Sequence, residues 1–458
     1  MSRYTAATES DRGEMLRAIG VASIGELFAD IPAHLRLTGP LALDAGRSEL
    51  EVFTELRALA ARNTSTEDEL CFLGAGMYDH YVPALIDSII SRSEFLTPYT
   101  PYQPEVSQGG LQAMFEYQTA ICELTGLPVS NASVYEGPSA VAAAGYVAKL
   151  ANPSRSRFVV SRGVHPHARE ALATLAHGWG MEVVDVPLHD GITEVPALDE
   201  HVSAVIVQQP NFLGAVEDLE AVAGAAHEAG ALCVAACDPL PLSVLRAPGE
   251  CGVDLAVGEG QTLGNRLDFG GPSFGFFAAT EALIRRVPGR IAGETVDLDG
   301  KRGFVLTLQT REQHIRREKA TSNICTSQAL NALAGVIYLS WLGRHGIVEL
   351  TELMLQRTAY ARERLAAIDG IGALHDQPVV REFAVTVDAP VQAVIERCAG
   401  QGVNPGYALG RDYPEYENGL LVALTEKRTR ADIDRLAETL EEAIAAERRH
   451  DAHHAGVH

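Results

Sequence analysis

The chain of 458 residues is 47% hydrophobic and 21% charged, which is typical of a globular protein with a sizeable core. Its 60 acidic residues outnumber its 37 Lys and Arg residues, and the formal net charge is −23. A field of that sign repels nucleic acid and anionic membrane surfaces, so neither is an expected partner.

The cysteine pattern and the opening segment indicate a reducing compartment. Seven cysteines occur without a CxxC pair, and most lie in apolar runs such as ALCVAAC at 231–237. We interpret them as buried thiols rather than as metal ligands or disulfides. The opening MSRYTAATESDRGEML has no apolar signal core, and no apolar run is long enough to span a bilayer. We therefore expect a cytoplasmic protein.

Residues 1–65 are predicted to form an N-terminal helical arm. Ser48 and Glu51 have the spacing of a capping box, and an amphipathic helix follows them. Its apolar residues Leu50, Phe53 and Leu56 fall on one face. We expect this arm to pack against another surface.

Residues 66–325 are predicted to form a large α/β domain, because short apolar runs alternate there with helical stretches. The predicted strands are 157–161, 182–187, 204–209, 232–237 and 254–258. This alternation favours right-handed crossovers and a mostly parallel, doubly wound sheet. Ligands of such sheets bind at the carboxyl ends of the strands.

The remaining residues are predicted to form a connecting helix, 326–368, and a small C-terminal α+β domain, 369–458. Gly343 and Gly346 indicate a bend in the connecting helix. The small domain contains predicted strands at 381–387 and 419–425. Its final helix is predicted to begin with a capping box at Thr429.

Four polar residues lie at the ends of predicted strands or at the start of a predicted helix, and we call this set the relic cup: Ser139, His165, Asp238 and Gln261. Ser139 lies in a Gly-Pro-Ser turn that opens a helix and presents free N–H groups. Each feature alone is more often a turn, a cap or a structural histidine. Together they resemble the fold-type-I family of pyridoxal-phosphate enzymes, in which a histidine covers the cofactor ring and an aspartate pairs with its nitrogen.

The lysine that such enzymes use to bind the cofactor as a Schiff base is missing from its expected position. The four lysines are Lys149, Lys301, Lys319 and Lys427, and none follows Asp238 at the family's interval. Gln261 lies at or near the expected position, and an amide cannot form an imine. The chain is therefore not expected to hold the cofactor covalently, and we assign no catalytic role to the relic cup.

Longer stretches narrow the resemblance. Residues 72–86, 95–140, 258–278 and 289–326 resemble the glycine cleavage system P-protein family, and within it the N-terminal half, which many bacteria make as a separate alpha subunit. The resemblance implies an α2β2 enzyme whose pyridoxal phosphate is carried by the beta subunit. It also implies that glycine is decarboxylated at the alpha–beta interface and that the aminomethyl group passes to the lipoyl arm of the H protein.

Two segments are candidates for lining that interface site. The first, 97–105, we call the tyrosine loop; three prolines stiffen it, and its candidate residues are Tyr99, Tyr102, Gln103 and Glu105. The second, 319–326, offers Thr321, Ser322 and Asn323. Two structural alternatives stay open: the tyrosines pack in an ordinary subunit interface, and Thr326 or Ser327 caps the next helix.

Two other functions stay open. One is a self-sufficient pyridoxal-phosphate lyase or aldolase that uses Lys149, Lys301 or Lys319. The other is a non-catalytic regulatory paralogue. No metal site is expected.

Overall fold

The computed structural model describes the backbone of residues 6–325 and 327–455, and the side chains as far as His450. By contacts the chain separates into two compact units, one ending at Thr64 and the other beginning at Ser65. The four-part division into arm, large domain, connecting helix and small domain stays a prediction. No helix within the described residues has both the length and the apolar character that a membrane span requires.

The secondary structure alternates over most of the second unit. The helices are α1 Glu9–Ile19, α2 Glu49–Ala60, α3 Ala84–Ile90, α4 Ser93–Leu96, α5 Gln108–Thr125, α6 Gly137–Ala151, α7 Pro166–Trp179, α8 Leu219–Glu228, α9 Gln313–Arg316, α10 Ala329–Ala366, α11 Val391–Ala399 and α12 Arg430–Ala455. The strands are β1 Leu70–Cys71, β2 Val129–Ser130, β3 Arg157–Ser161, β4 Glu182–Val186, β5 Leu188–His189, β6 Ile192–Thr193, β7 Val202–Gln209, β8 Leu232–Cys237, β9 Leu255–Glu259, β10 Gly275–Ala279, β11 Ile291–Val296, β12 Arg302–Thr307, β13 Ile371–Ala373, β14 Glu382–Val387, β15 Val403–Asn404, β16 Tyr407–Ala408 and β17 Gly419–Ala423.

The N-terminal unit contains α1, α2 and short 3-10 turns. The predicted capping box of α2 is confirmed: the Glu51 carboxylate accepts from the Ser48 N–H at 2.8 Å, and the Ser48 hydroxyl accepts from the Glu51 N–H at 3.3 Å. The apolar side chains of α2 are exposed, including Leu50 and Phe53. The prediction that these side chains pack against another surface stays a prediction.

The centre of the second unit is a seven-stranded sheet with the order β2-β10-β9-β8-β7-β3-β4. Strands β9, β8, β7, β3 and β4 are mutually parallel, and β10 runs antiparallel to β9 and β2. All five predicted strands of this sheet are confirmed within two residues at each end. The prediction of a mostly parallel, doubly wound α/β sheet is therefore correct.

Both faces of the sheet are covered, as the continuous apolar strands require. Helices α6 and α7 supply apolar residues to one core, and α5, α8 and the first half of α10 supply them to the other. Gly145 of α6 permits close packing of α7, since a Cβ there would lie 2.6 Å from a methyl group of Leu172. The sheet is thus packed on both faces, and the residues at its carboxyl edge are carried by this packed core.

The C-terminal region contains a four-stranded antiparallel sheet with the order β13-β14-β17-β16, as the α+β prediction requires. Helix α10 bends at Gly343, whose φ of 61° and ψ of −178° are not helical, whereas Gly346 is not part of the break. The predicted capping box at Thr429 is confirmed by its bonds with Asp432.

The structural alternative in which Ser327 caps α10 is not observed. Gln328 occupies the N-cap position without a side-chain capping bond, and the Ser327 hydroxyl donates instead to the carbonyl oxygen of Ala132. Thr326, the other predicted cap, lies outside the described residues.

Candidate functional site

The carboxyl ends of the parallel strands bring two residues of the relic cup, His165 and Asp238, to one cavity. His165 follows β3 and Asp238 follows β8, and both line a cavity of about 240 Å³ that we call the small cavity. Ser139 lies in the first turn of α6, whose Gly137 lines the same cavity. Gln261 follows β9 and is buried.

The N-terminus of α6, where the resemblance places a phosphate, is occupied by two carboxylates of the chain itself. Glu259 accepts from the Gly137 N–H at 2.9 Å, and Glu136 accepts from the Ser139 N–H at 2.9 Å. Glu136 also accepts from the Ser139 hydroxyl at 2.9 Å. Free N–H groups and the helix dipole bind anions, so these carboxylates use the groups that a phosphate needs.

Asp238 also has a partner within the chain. It forms an ion pair with Arg381, which precedes β14 and is buried. The guanidinium carbon lies 3.5 Å from the centroid of the Tyr78 ring, and an Arg381 nitrogen also contacts His80. Asp238 is partly buried, and the buried Arg381 supplies its cationic partner at the place where the resemblance puts a cofactor nitrogen.

Gln261 holds the backbone of a neighbouring loop in place. Its side-chain oxygen accepts from the Tyr78 N–H at 2.9 Å, and its side-chain nitrogen donates to the carbonyl oxygens of Tyr78 at 3.1 Å and Asn265 at 2.9 Å. The amide is thus used fully in structural hydrogen bonds.

Both ring nitrogens of His165 also have hydrogen-bond partners within the chain. Its Nδ1 accepts from the His167 N–H at 3.1 Å, and Nε2 lies 2.9 Å from the carbonyl oxygen of Ala75. These bonds fit the neutral ring with a proton on Nε2, and burial lowers the pKa of His165, which favours that neutral form.

The relic cup therefore does not fit pyridoxal phosphate. The helix N-terminus, the aspartate and the histidine all have partners from the chain, and two carboxylates would face a phosphate. None of the four lysines lines the small cavity. Lys149 donates to the carbonyl oxygen of Trp179 at 2.8 Å and Lys427 to Asp79 at 2.7 Å, while Lys301 and Lys319 are exposed.

A second cavity, of about 560 Å³, lies beside the tyrosine loop, and we call it the large cavity. Tyr99 lines it, as do Arg290 and the first residues of α10. The Tyr102 ring lies 5.9 Å from the Arg290 guanidinium and contacts His314 edge-on, with 5.8 Å between ring centroids. Tyr99 is 76% exposed and Tyr102 is 54% exposed, so both rings are accessible in this chain.

The other candidate residues do not line the large cavity. Gln103, Glu105 and Asn323 are exposed, and Thr321 and Ser322 are partly buried. The Ser322 hydroxyl accepts from the Ile324 N–H at 3.1 Å, which shapes its own segment.

Comparison with known proteins identifies the family. The profile of the glycine cleavage system P-protein family matches residues 2–440. The chain belongs to the glycine cleavage system P-protein family. Within that family, it is 48% identical over 444 residues to a probable glycine dehydrogenase (decarboxylating) subunit 1 of Geobacillus kaustophilus (strain HTA426), with 96% of this chain and 99% of the relative covered.

Solved structures agree with this membership. The crystal structure of a glycine decarboxylase (P-protein) of the glycine cleavage system, in inhibitor-bound form, superimposes with a TM-score of 0.88 at 44% identity and covers 96% of this chain and 100% of that one. A sphingosine-1-phosphate lyase of Burkholderia pseudomallei K96243 superimposes with a TM-score of 0.62 at 16% identity and covers 92% and 96% of the two chains, a likeness of fold alone. The fold predicted from the relic cup is thus confirmed.

Proposed function

We propose that this chain is the alpha subunit of a glycine cleavage P-protein and completes an active site on a beta subunit that carries pyridoxal phosphate. The assembled enzyme decarboxylates glycine and transfers the aminomethyl group to the lipoyl arm of the H protein. Membership of the P-protein family supports the reaction, and the subunit 1 designation of its relatives supports a partner subunit. An α2β2 assembly and a cytoplasmic location belong to the same proposal.

The proposal rests mainly on the observation that the polar groups of the relic cup already have hydrogen-bond or ion-pair partners within this chain. Glu136 and Glu259 hold the α6 N–H groups, Arg381 pairs with Asp238, and Gln261 stands where a lysine is expected. The cofactor, when bound by the partner, supplies an electron sink for loss of the carboxylate. The role of this chain is to bind and orient the glycine at the interface and to shield it from water.

The tyrosine loop is our candidate for that part. Tyr99 and Tyr102 are accessible, and the prolines around them reduce the entropy lost when the rings become fixed against a partner. Thr100, between them, accepts from an Arg290 nitrogen at 3.3 Å, which anchors the loop to the edge of the large cavity. We propose that the two rings exclude water from the reacting glycine.

Polar neighbours complete the proposed lining. Gln103 and Glu105 are exposed at the end of the loop, where they are accessible to a partner. The second candidate segment contains Thr321, Ser322 and Asn323. The next residue, Ile324, lies close to Gly289, since its side chain would be 3.8 Å from a Cβ at that glycine. The segment therefore lies near Arg290, which follows Gly289 in the chain. We propose that these five residues donate to or accept from groups across the interface.

Reduction with borohydride tests where the cofactor is bound. The purified chain is incubated alone with pyridoxal phosphate, reduced, and digested for mass spectrometry. We expect no stoichiometric phosphopyridoxyl-lysine, because the four lysines lie away from the relic cup. A single fully labelled lysine would favour a self-sufficient enzyme instead.

Reconstitution tests the contribution to activity. The beta subunit is assayed for glycine–bicarbonate exchange with and without this chain, and we expect exchange to depend on it strongly. Equal exchange in both samples would favour the regulatory paralogue.

A further inference from the structure

Three neighbouring cations lie on the surface of this strongly acidic chain. Arg316, Arg317 and Lys319 are all exposed, whereas the formal net charge of the chain is −23. Among the residues whose side chains the structure describes, none is an ion-pair or side-chain hydrogen-bond partner of these three. We call Arg316, Arg317 and Lys319 the basic patch. Like charges repel one another, so an anionic partner would lower the electrostatic energy of the patch.

The backbone holds the basic patch in two short turns. Helix α9 ends at Arg316, and a 3-10 turn covers Arg317–Lys319. The Arg316 N–H donates to the carbonyl oxygen of Glu312 at 2.8 Å, and the Ala320 N–H donates to that of Arg317 at 3.0 Å. Three residues extend to at most about 11 Å, which is comparable to the Debye length of about 10 Å at 0.1 M salt. The three charges therefore act on a partner together.

Arg317 has a backbone conformation that favours glycine. Its φ is 58° and its ψ is −134°. A residue with a Cβ is strained in this conformation, whereas glycine adopts it freely. The Arg317 guanidinium has no ion pair or hydrogen bond with the described part of the chain, so such contacts do not offset the strain. This combination indicates that the arginine is used by a partner.

The carboxylates of the same segment do not neutralise the basic patch. Glu312 is buried, and Arg290 and Arg311 share its charge. Glu318 is exposed and is not ion-paired with any residue that the structure describes. Across residues 313–319, three cations and this one acid give a formal charge of +2. The segment is therefore locally basic although the chain as a whole is acidic.

The basic patch lies in the chain between the two segments that we propose line the glycine site. His314, two residues before Arg316, contacts the Tyr102 ring of the tyrosine loop, with 5.8 Å between ring centroids. Thr321 of the second candidate segment follows Lys319 by two residues. Ile315 adds an apolar side chain that is 50% exposed. A partner bound to the patch would therefore lie close to both segments.

We propose that the basic patch is the docking surface for the H protein and binds an acidic surface of that protein. The inference rests on the proposed function, which requires a protein substrate to dock and leave in every turnover. Permanent interfaces are depleted in lysine, whereas exposed charges speed and orient transient encounters. Most of a surface with a charge of −23 repels an acidic carrier, so a local basic patch orients its approach.

Charge reversal in the assembled enzyme tests the docking surface. Arg316→Glu, Arg317→Glu and Lys319→Glu are each combined with the beta subunit and assayed for glycine–bicarbonate exchange over a range of H-protein concentrations. We expect each variant to raise the KM for H protein about threefold or more at low salt, and to leave the KM for glycine unchanged. Arg449→Glu is the matched control, because it makes the same charge change at an exposed residue of α12, a helix that packs in the C-terminal core.

Salt and two further substitutions separate charge from structure. The charge-reversal variants should approach the wild type at about 0.5 M salt, where the Debye length is about 4 Å. Arg317→Lys retains the charge and should bind H protein nearly as well as the wild type does. Arg317→Gly relieves the backbone strain, so it should be at least as stable as the wild type and still raise the KM for H protein.

Three results would overturn the docking surface. The first is a KM for H protein that is the same in the wild type and in all three charge-reversal variants. The second is an equal rise in Arg449→Glu, which would assign the effect to net charge. The third is loss of assembly with the beta subunit in gel filtration, which would place the cations in the subunit interface. Failure of the proposed function shows itself separately, as exchange that does not need this chain.

Discussion

Replacing Gln261 with lysine would put a primary amine at or near the position where the resemblance places one, and we expect the variant not to capture pyridoxal phosphate. The substitution removes the acceptor of the Tyr78 N–H and exchanges an amide for a charge at a residue that is 1% exposed. The lysine nitrogen would have the carbonyl oxygens of Tyr78 and Asn265 as acceptors in place of the amide's own hydrogen bonds. With one buried donor unpaired and an ammonium desolvated, the cost is about 3–5 kcal/mol.

The variant should nevertheless remain folded at 25 °C, since domains are stable by about 5–15 kcal/mol. Its thermal midpoint should fall by about 5 °C or more. Gln261→Met is the control, because it has a similar volume, makes no hydrogen bonds and carries no charge. Both variants should lose stability, and neither should bind the cofactor.

The assay combines calorimetry with borohydride labelling. We expect no stoichiometric label in Gln261→Lys, because the α6 N–H groups are bonded to Glu136 and Glu259, whose charges oppose a phosphate. One dialysis-resistant cofactor per chain, reduced onto the introduced lysine, would refute the idea that the cup is closed by its own side chains.

Three further predictions concern the loop, a buried acid and a crowded glycine. Tyr99→Ala and Tyr102→Ala should each assemble with the partner but lower the rate of glycine–bicarbonate exchange severalfold, because each removes a ring that we propose excludes water; normal kinetics in both would assign the rings to packing. Burial raises the pKa of Glu382 from 4.5 to about 7, so its folded form binds a proton more tightly than its unfolded form. The contribution of Glu382 to the free energy of unfolding is therefore greatest below pH 4.5 and is lost as the pH rises through 7. In urea unfolding, the wild type should lose about 3 kcal/mol of stability relative to Glu382→Gln between pH 4 and pH 8. A difference in stability between the two proteins that does not change with pH would contradict this. Gly214→Ala places a Cβ 2.0 Å from a backbone oxygen at a residue whose φ is 87°. It should lower the melting temperature more than Gly180→Ala, where φ is 68° but no atom lies within 4 Å of the added Cβ. Equal melting temperatures for the two variants would count against the steric argument.

Strand positions were predictable because a buried parallel strand is a short run of apolar residues bounded by turns. RFVVS at 157–161 and LCVAAC at 232–237 match β3 and β8 in full. Strand β10, the sequence GFFAA, was not predicted, although its five residues are all buried and apolar. The hairpin β11–β12 was also missed, because its exposed residues Glu294, Thr295 and Val296 interrupt the apolar pattern.

The placement of His165 and Asp238 at one edge of the sheet could be predicted, but the partners of the relic cup could not. Strand order alone places His165 and Asp238 at one edge of the sheet. The ion pair of Asp238 joins it to Arg381 near the C-terminal sheet, and no local pattern specifies a pair so distant in sequence. Glu259 carried a weak signal, as a carboxylate at the end of a buried strand. Arg290 carried another, as a guanidinium within the apolar segment VPGRIAG.

Closure of the relic cup by Glu136, Glu259 and Arg381 uncouples the folding of this chain from the supply of vitamin B6. A protein that binds its cofactor only when folded gains stability in proportion to the logarithm of the cofactor concentration. Here acidic and basic side chains take the ligand's place permanently. If the partner carries the coenzyme, as we propose, this chain should reach the same folded level whether or not the coenzyme is present.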